Sequence, residues 1–386
     1  MIIFAFDNII SGEIIPNLQQ PTADAMSYAS AAPHSKEFEF LRYLESECIT
    51  HTILSTTELG ESAAPAIYPI QLTYFDEGFD YISLISPAAH AMLVTGQLRL
   101  LFYFSHGIAI NAVHARLTDL LTKNGINPAN LRMIVPNYSS TKPNLLHFSD
   151  NESAAHYAAR DSKLVSHVNV RQRTKAFSCI TEHGSNFGAL VAGSMWYHGL
   201  TTNGYFRYLD RPLLNNPNIA GTNVFKWNKF WADTPELIEN FNMHIPFALP
   251  EITAATSEQL YTDAYWNIVI ADQCDKVHAH VSRAIFNPIM NMQPFMTVGP
   301  QYTLRTLRDM GYATFSEWMD EGYDKIKSDE ERMNVCFQMI YDIASLSHKD
   351  QMQMIKEMIP LLAHNQGVLL ASKKEQYNAA IKILLA

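Results

Sequence analysis

The chain has 386 residues, too many for one ordinary core, so two or three domains are expected. An apolar fraction of 47% with a charged fraction of 17% belongs to a globular protein and excludes disorder, which needs fewer aromatics and more charge. The net charge of −10 repels nucleic acid at long range, which leaves a nucleic-acid role only to a local basic patch.

Cys48, Cys179, Cys274 and Cys336 are widely separated and form no CxxC pair, against a zinc site and against a disulfide scaffold. The opening MIIFAFDNII has no basic n-region and no small-residue cleavage site, so it reads as a strand rather than a signal peptide. No uninterrupted apolar stretch reaches the ~18 residues that a membrane helix needs. The expected setting is a reducing cytoplasm.

Taken in order, residues 2–6 and 67–75 are predicted strands and 35–46 a short helix. No residue of 1–75 stands out for chemistry. Residues 98–104, LRLLFYF, form a continuous apolar run of strand length, as a buried parallel strand requires. Residues 111–124 then place Val113, Leu117, Leu120 and Leu121 on one helical face, with Asn111 to cap the start and Gly125 to end it. Residues 131–135 and 145–148 are strands. Strand–helix–strand at this spacing implies a parallel sheet with helices packed on it.

A second set follows: strand 176–180, helix 186–198, strand 205–209, strand 265–270, helix 279–290, strand 295–298 and helix 303–310. Ser328 with Glu331 makes a capping box for a helix to about 346. Another helix starts near 350, and 373–386 forms a last one. Between the two sets lies a basic strip, Arg160, Lys163, Arg171, Arg173 and Lys175 against the single acid Asp161. It reads either as a solvated connector or as a phosphate-facing strip.

In residues 261–315, Ser282, Phe286, Pro288, Ile289, Pro294, Phe295, Val298, Gly299, Thr303, Leu304, Leu307, Arg308, Gly311, Thr314 and Phe315 follow one pattern, continued by 320–324, DEGYD. The pattern resembles a phage and bacterial group of glycosyltransferase-like proteins, distantly akin to the α-1,3-fucosyltransferases. Residues 175–208 resemble the same group, and weaker similarity reaches back to about 98. The resemblance implies an α/β fold of two Rossmann-like domains, the GT-B architecture, with a helical C-terminal tail. It divides the chain into 1–170 on the acceptor side, 171–370 holding the nucleotide-sugar, and a helix of 371–386 that returns to the first domain. Ligands of such sheets bind at the carboxyl ends of the strands.

Two departures bear on activity. The group's Glu-Lys pair, which in fucosyltransferase-like enzymes contacts ribose and phosphate, stands here as Arg283-Ala284. Its arginine-rich turn stands as Thr181-Glu182-His183-Gly184-Ser185-Asn186. Either donor binding has been rebuilt or catalysis has been lost.

Glycosyl transfer needs a stabilised diphosphate leaving group, a base for the acceptor hydroxyl if configuration inverts, and exclusion of water. Ser282, Arg283 and Asn287 at a helix start, with Gly299, are the candidates for the diphosphate, together with Thr181, His183, Ser185 and Asn186 at a strand end. The candidate base is His106, which follows strand 98–104 in the sequence SHG; Glu182 is a weaker one. Each has a plainer reading, as a surface helix residue, a polar loop or one bystander among 15 histidines. No D-x-D motif is present, and His278 with His280 reads as structural, so no metal is expected. The expected partners are a UDP- or GDP-sugar and an acceptor. The acceptor is either double-stranded DNA carrying a modified cytosine, or a glycan or small molecule. A transferase fold that only binds is the other class kept open.

Overall fold

The computed structural model describes residues 2–10, 13–15, 44, 48–59, 65–72, 75, 78–104, 110–135, 145–147, 152, 155–156, 158–159, 173–181, 191, 195, 198–208, 260–271, 281–371, 378 and 381–382. The chain divides into two units, Met1–Ser153 with Ser372–Ala386, and Ala154–Ala371.

The first unit contains β1 (Ile2–Phe6), β2 (Asn8–Ile10), β3 (Glu13–Ile15), β4 (His51–Ser55), β5 (Ala66–Leu72), α1 (Pro87–Thr95), β6 (Leu98–Phe104), α2 (Ile110–Lys123), β7 (Leu131–Val135) and β8 (Leu145–His147). Six strands form one parallel sheet in the order β4-β1-β5-β6-β7-β8, and β2 with β3 makes an antiparallel hairpin. β6 occupies the residues its apolar run predicts. It lies between β5 and β7 with Leu98 level with Ala66 and Phe104 with Leu72, and both its faces are covered, as a continuous apolar strand requires.

Val113, Leu117, Leu120 and Leu121 of α2 are buried together as their period requires. The helix already includes Ile110, which packs on the core, so Asn111 lies inside its first turn rather than ahead of it. Gly125 has φ +71°, a left-handed conformation that glycine adopts without a side-chain penalty. α1 starts at Ser86, whose hydroxyl accepts from the Ala89 amide, with Pro87 at the first helical position.

The second unit contains β9 (Lys175–Thr181), β10 (Gly204–Tyr208), β11 (Ala264–Ile270), α3 (Arg283–Met290), β12 (Phe295–Val298), α4 (Thr303–Asp309), α5 (Asp329–Ser345) and α6 (His348–Leu370). Its sheet is also parallel, in the order β10-β9-β11-β12. Trp266 of β11 is fully buried and meets Phe315 edge-on at 5.7 Å, and Phe295 of β12 meets the same ring at 5.1 Å. Ser328 caps α5 by accepting from the Glu331 amide, the half of the capping box carried by the serine. Ser347 caps α6, which therefore starts slightly earlier than its apolar pattern indicates.

The fold class is mixed α/β, with parallel sheets and a helical C-terminal region. The predicted helices 35–46, 186–198 and 373–386 lie outside the described residues apart from single positions. Among the described residues no helix is long and apolar enough to cross a membrane.

Candidate functional site

In the second unit the order β11, α3, β12 with parallel pairing brings three points to one edge of the sheet: the end of β11 at Ala271, the start of α3, and the end of β12 at Gly299. This is the carboxyl edge, where ligands of open α/β sheets bind. Thr181 ends β9, paired with Tyr208 at the same edge.

Ser282 is buried, and its hydroxyl caps α3 by accepting from the Ala284 amide at 3.3 Å. Arg283 follows at the first helical position and is exposed, with no acid in the first turn. The helix dipole is positive at that end and disfavours a cation there unless an anion joins it. Asn287, one turn on, is half-buried, and its carbonyl accepts from Asn291.

Gly299 is buried and must be small. A Cβ there would lie 2.8 Å from the Cβ of Ala271 on the neighbouring strand end. Its carbonyl accepts from Nε of Arg332 at 2.8 Å. The turn that follows is pinned from behind. The Tyr302 amide donates to the Asp324 carbonyl at 2.9 Å, and the Gln301 side-chain amide donates to the Lys325 carbonyl at 2.7 Å. Tyr302 is held at φ +68°, a conformation that costs a non-glycine about 1–2 kcal/mol. Buried Arg332 also reaches the Ile326 carbonyl and the Asp329 carboxylate.

Two buried acids complete this clamp. Asp324 accepts from the amides of Leu304 and Arg305 at 2.9 and 3.0 Å, capping α4. Glu321 accepts from the Phe315 amide, the Thr314 hydroxyl and Arg308. Burial is the largest influence on both and pushes each above the usual carboxylate range, against the amide, hydroxyl and guanidinium contacts that pull the other way. Both acids therefore keep a proton to higher pH in the folded chain than in the unfolded one. Their contribution to stability is fully present below the unfolded values of about 4 and declines as pH rises through the folded values. The Tm of the wild type minus that of the Glu321→Gln/Asp324→Asn variant should thus grow as pH falls from neutral toward 4.5. A difference that stays constant across that range contradicts the assignment.

The remaining sequence candidates are not brought to this edge by anything described. Glu182, His183, Ser185 and Asn186 lie outside the described residues, as do His106, Arg160, Lys163 and Arg171. Arg173 is described and is only 3% exposed. Its guanidinium donates to the carbonyls of Tyr261 and Ala264 and lies 6.0 Å from the Tyr265 ring centroid, so it serves the interior instead of facing solvent. Lys175 opens β9 at the opposite, amino edge and stands 5.8 Å from the Tyr205 ring centroid. Among the described residues no group of three or more His, Cys, Asp or Glu side chains is arranged to hold a metal; His278 and His280 lie outside them.

Two parallel α/β units, the second with a capped helix start and a buried glycine at its carboxyl edge, define a Rossmann-like α/β protein with a candidate anion site. No family model matches the chain, and no curated protein matches it. Among solved structures it is similar to the UDP-forming α,α-trehalose-phosphate synthase from Burkholderia xenovorans, with TM-score 0.40 and 10% identity, covering 92% of this chain and 80% of that one. It is also similar to the trehalose-6-phosphate phosphatase N-terminal domain from Candida albicans, with TM-score 0.39 and 10% identity, covering 92% and 76%.

Proposed function

We propose that the chain is a glycosyltransferase of the GT-B class that moves a sugar from a nucleotide-sugar, of UDP or GDP, to an acceptor hydroxyl. The observation that carries this reading is Arg283: an exposed cation at the first position of a serine-capped helix with no acid in its first turn, at the carboxyl edge of a parallel sheet. A diphosphate satisfies that arrangement, taking the helix amides and the guanidinium together. The segment around it, 261–315, is the part whose residues most resemble the glycosyltransferase-like group.

In this reading the bond from the sugar's anomeric carbon to the diphosphate breaks, and its electron pair leaves with the diphosphate. Arg283 and the amides at the start of α3 meet that charge. The acceptor oxygen forms the new bond and gives its proton to a base, for which His106 and Glu182 are the proposed groups. Gly299 lets the backbone come close to the donor, and Asn287, Thr181, His183, Ser185 and Asn186 complete the donor side.

A thermal-shift series of the whole chain with UDP, GDP and their sugars tests the reading. A nucleotide of micromolar Kd at millimolar concentration adds about 4 kcal/mol to stability, a rise of several degrees. Arg283→Ala should unfold at the wild-type temperature without ligand, because the side chain is exposed, and should bind the same nucleotide at least tenfold more weakly. Unchanged binding in Arg283→Ala removes the donor site from this edge.

One observation favours a second reading. Ala284 stands where the resembling group carries its lysine. A chain that binds nucleotide but releases no nucleoside diphosphate with any acceptor would be a binding module on a transferase fold.

A further inference from the structure

We propose that nucleotide-sugar binding at the carboxyl edge of the second sheet is proton-linked, through the buried acids Glu321 and Asp324 that hold the turn after Gly299. The inference rests on the donor reading above and adds its regulation. A protonated pair favours the bound diphosphate, and an ionised pair opposes it.

Geometry ties the pair to the turn. The Asp324 carbonyl accepts from the Tyr302 amide at 2.9 Å, and its carboxylate accepts from the amides of Leu304 and Arg305 at 2.9 and 3.0 Å. Glu321 opens the short 3₁₀ helix Glu321–Lys325 that carries Asp324. Both acids reach one guanidinium, that of Arg308, at 2.8 Å from Glu321 and 3.8 Å from Asp324. Arg332 holds the Gly299 carbonyl itself and pairs with Asp329.

The charges of this cluster do not balance. Among the described residues three carboxylates, Glu321, Asp324 and Asp329, meet two guanidiniums, Arg308 and Arg332. With all five ionised, one negative charge is left over beside the turn. A proton on each of Glu321 and Asp324 turns that into one positive charge. A buried surplus charge draws a proton, and burial itself raises the range in which both acids titrate. The other groups around the pair do not reverse this. Tyr323, between the two acids in sequence, is kept neutral by burial, which pushes its phenol well above the ordinary range. Arg305 and Asp309 pair with one another, and exposed Asp320 and Lys325 flank the short helix with opposite charges. A protonated carboxyl still accepts hydrogen bonds, so the turn keeps its amide contacts while its charge changes. Linkage is reciprocal: a proton on the pair strengthens anion binding, and a bound anion makes the pair take up protons.

Calorimetric titration of the whole chain with UDP-glucose and GDP-mannose between pH 5 and 8 tests this. A terminal phosphate would itself titrate at about 6, but the sugar-capped diphosphate has no such proton, so a pH dependence belongs to the protein. The wild type should bind one of the two probes at least about fivefold more tightly at pH 5 than at pH 8, the low end of ordinary coupling between sites. Repeating the titration in buffers of different ionisation enthalpy should show net proton uptake on binding. Glu321→Gln/Asp324→Asn, which fixes the pair neutral, should bind with less than half of that pH dependence and keep the tight, low-pH affinity at pH 8.

A wild-type affinity that is flat with pH, binding without proton uptake, or a folded double variant with the wild-type slope overturns the linkage. Should the double variant not fold, Glu321→Gln alone takes its place, and an unchanged slope there overturns the linkage equally. Tight binding with no proton linkage sinks this inference alone. No binding of either probe at any pH sinks the donor reading, and the linkage with it.

Discussion

Arg332→Ala should lower the melting temperature by on the order of 10 °C, since removing one partner from a buried ionic network costs about 3–5 kcal/mol and a unit of this size loses 2–4 °C per kcal/mol. Arg332 is only 1% exposed and lies on the apolar side of α5, one turn before Cys336. Its guanidinium is spent on the Gly299 and Ile326 carbonyls and the Asp329 carboxylate. Alanine takes this donor from the buried Gly299 carbonyl, and a buried acceptor that loses a donor costs more than the bond itself was worth. Because the Gly299 carbonyl belongs to the turn at the carboxyl edge, nucleotide binding should weaken along with stability. Arg305→Ala is the control: its side chain is 66% exposed, and the change should stay within about 0.5 kcal/mol of neutral. Scanning calorimetry of the two variants decides. Equal melting temperatures would mean that the Gly299 turn is held by something else.

Gly204→Ala is the second substitution with a large expected effect. Gly204 opens β10 and pairs with Phe177 of β9. An added Cβ would lie 2.4 Å from two ring carbons of Phe177 and 2.5 Å from the Phe177 carbonyl oxygen. The ring can turn away. The carbonyl cannot, because it belongs to a strand paired on both sides. The sheet must open locally, at a cost of about 1–3 kcal/mol or more. Gly367→Ala should do the opposite. That glycine is inside α6 with nothing within 4 Å of a new Cβ, so alanine gains about 0.5–1 kcal/mol of helix preference. Chemical denaturation of both variants would show midpoints moving in opposite directions. A Gly204→Ala chain as stable as the wild type would contradict the β9–β10 pairing.

The strands that the sequence reveals are those whose burial is complete. LRLLFYF and LRMIV are buried on both faces apart from half-buried Arg99, so a nearly continuous apolar run marks them without alternation. β4, HTILS, is half-buried throughout and sits at the sheet edge, so it carries neither an apolar run nor an alternating pattern, and nothing local marks it. Helix positions follow the same logic: α2 shows its buried face at a helical period, while the first turn is set by Ile110 packing on the core.

At the site, Ser282 and Arg283 are legible because strand, cap and helix succeed one another within a few residues. In the first unit, the cluster in which Thr56, Tyr68 and Ser86 donate to the Asp7 carboxylate is not legible, because those partners lie 49, 61 and 79 residues away in sequence. Arg332 is hidden for the same reason, as the carbonyl it holds is 33 residues earlier. An arginine on an otherwise apolar helix face is the one local trace it leaves. Arg173 shows the converse error of local reading: a cation in a basic stretch looks solvated until its carbonyl partners, 88 and 91 residues on, are known.

The proposed transfer requires the carboxyl edge of the second sheet, at the start of α3, to receive a nucleotide diphosphate. A crystal of the chain soaked with UDP or GDP tests it most directly. Diphosphate density is expected against the Arg283 guanidinium and the first amides of α3, beside Gly299. Density for the nucleotide elsewhere, with that helix start bare, would contradict it.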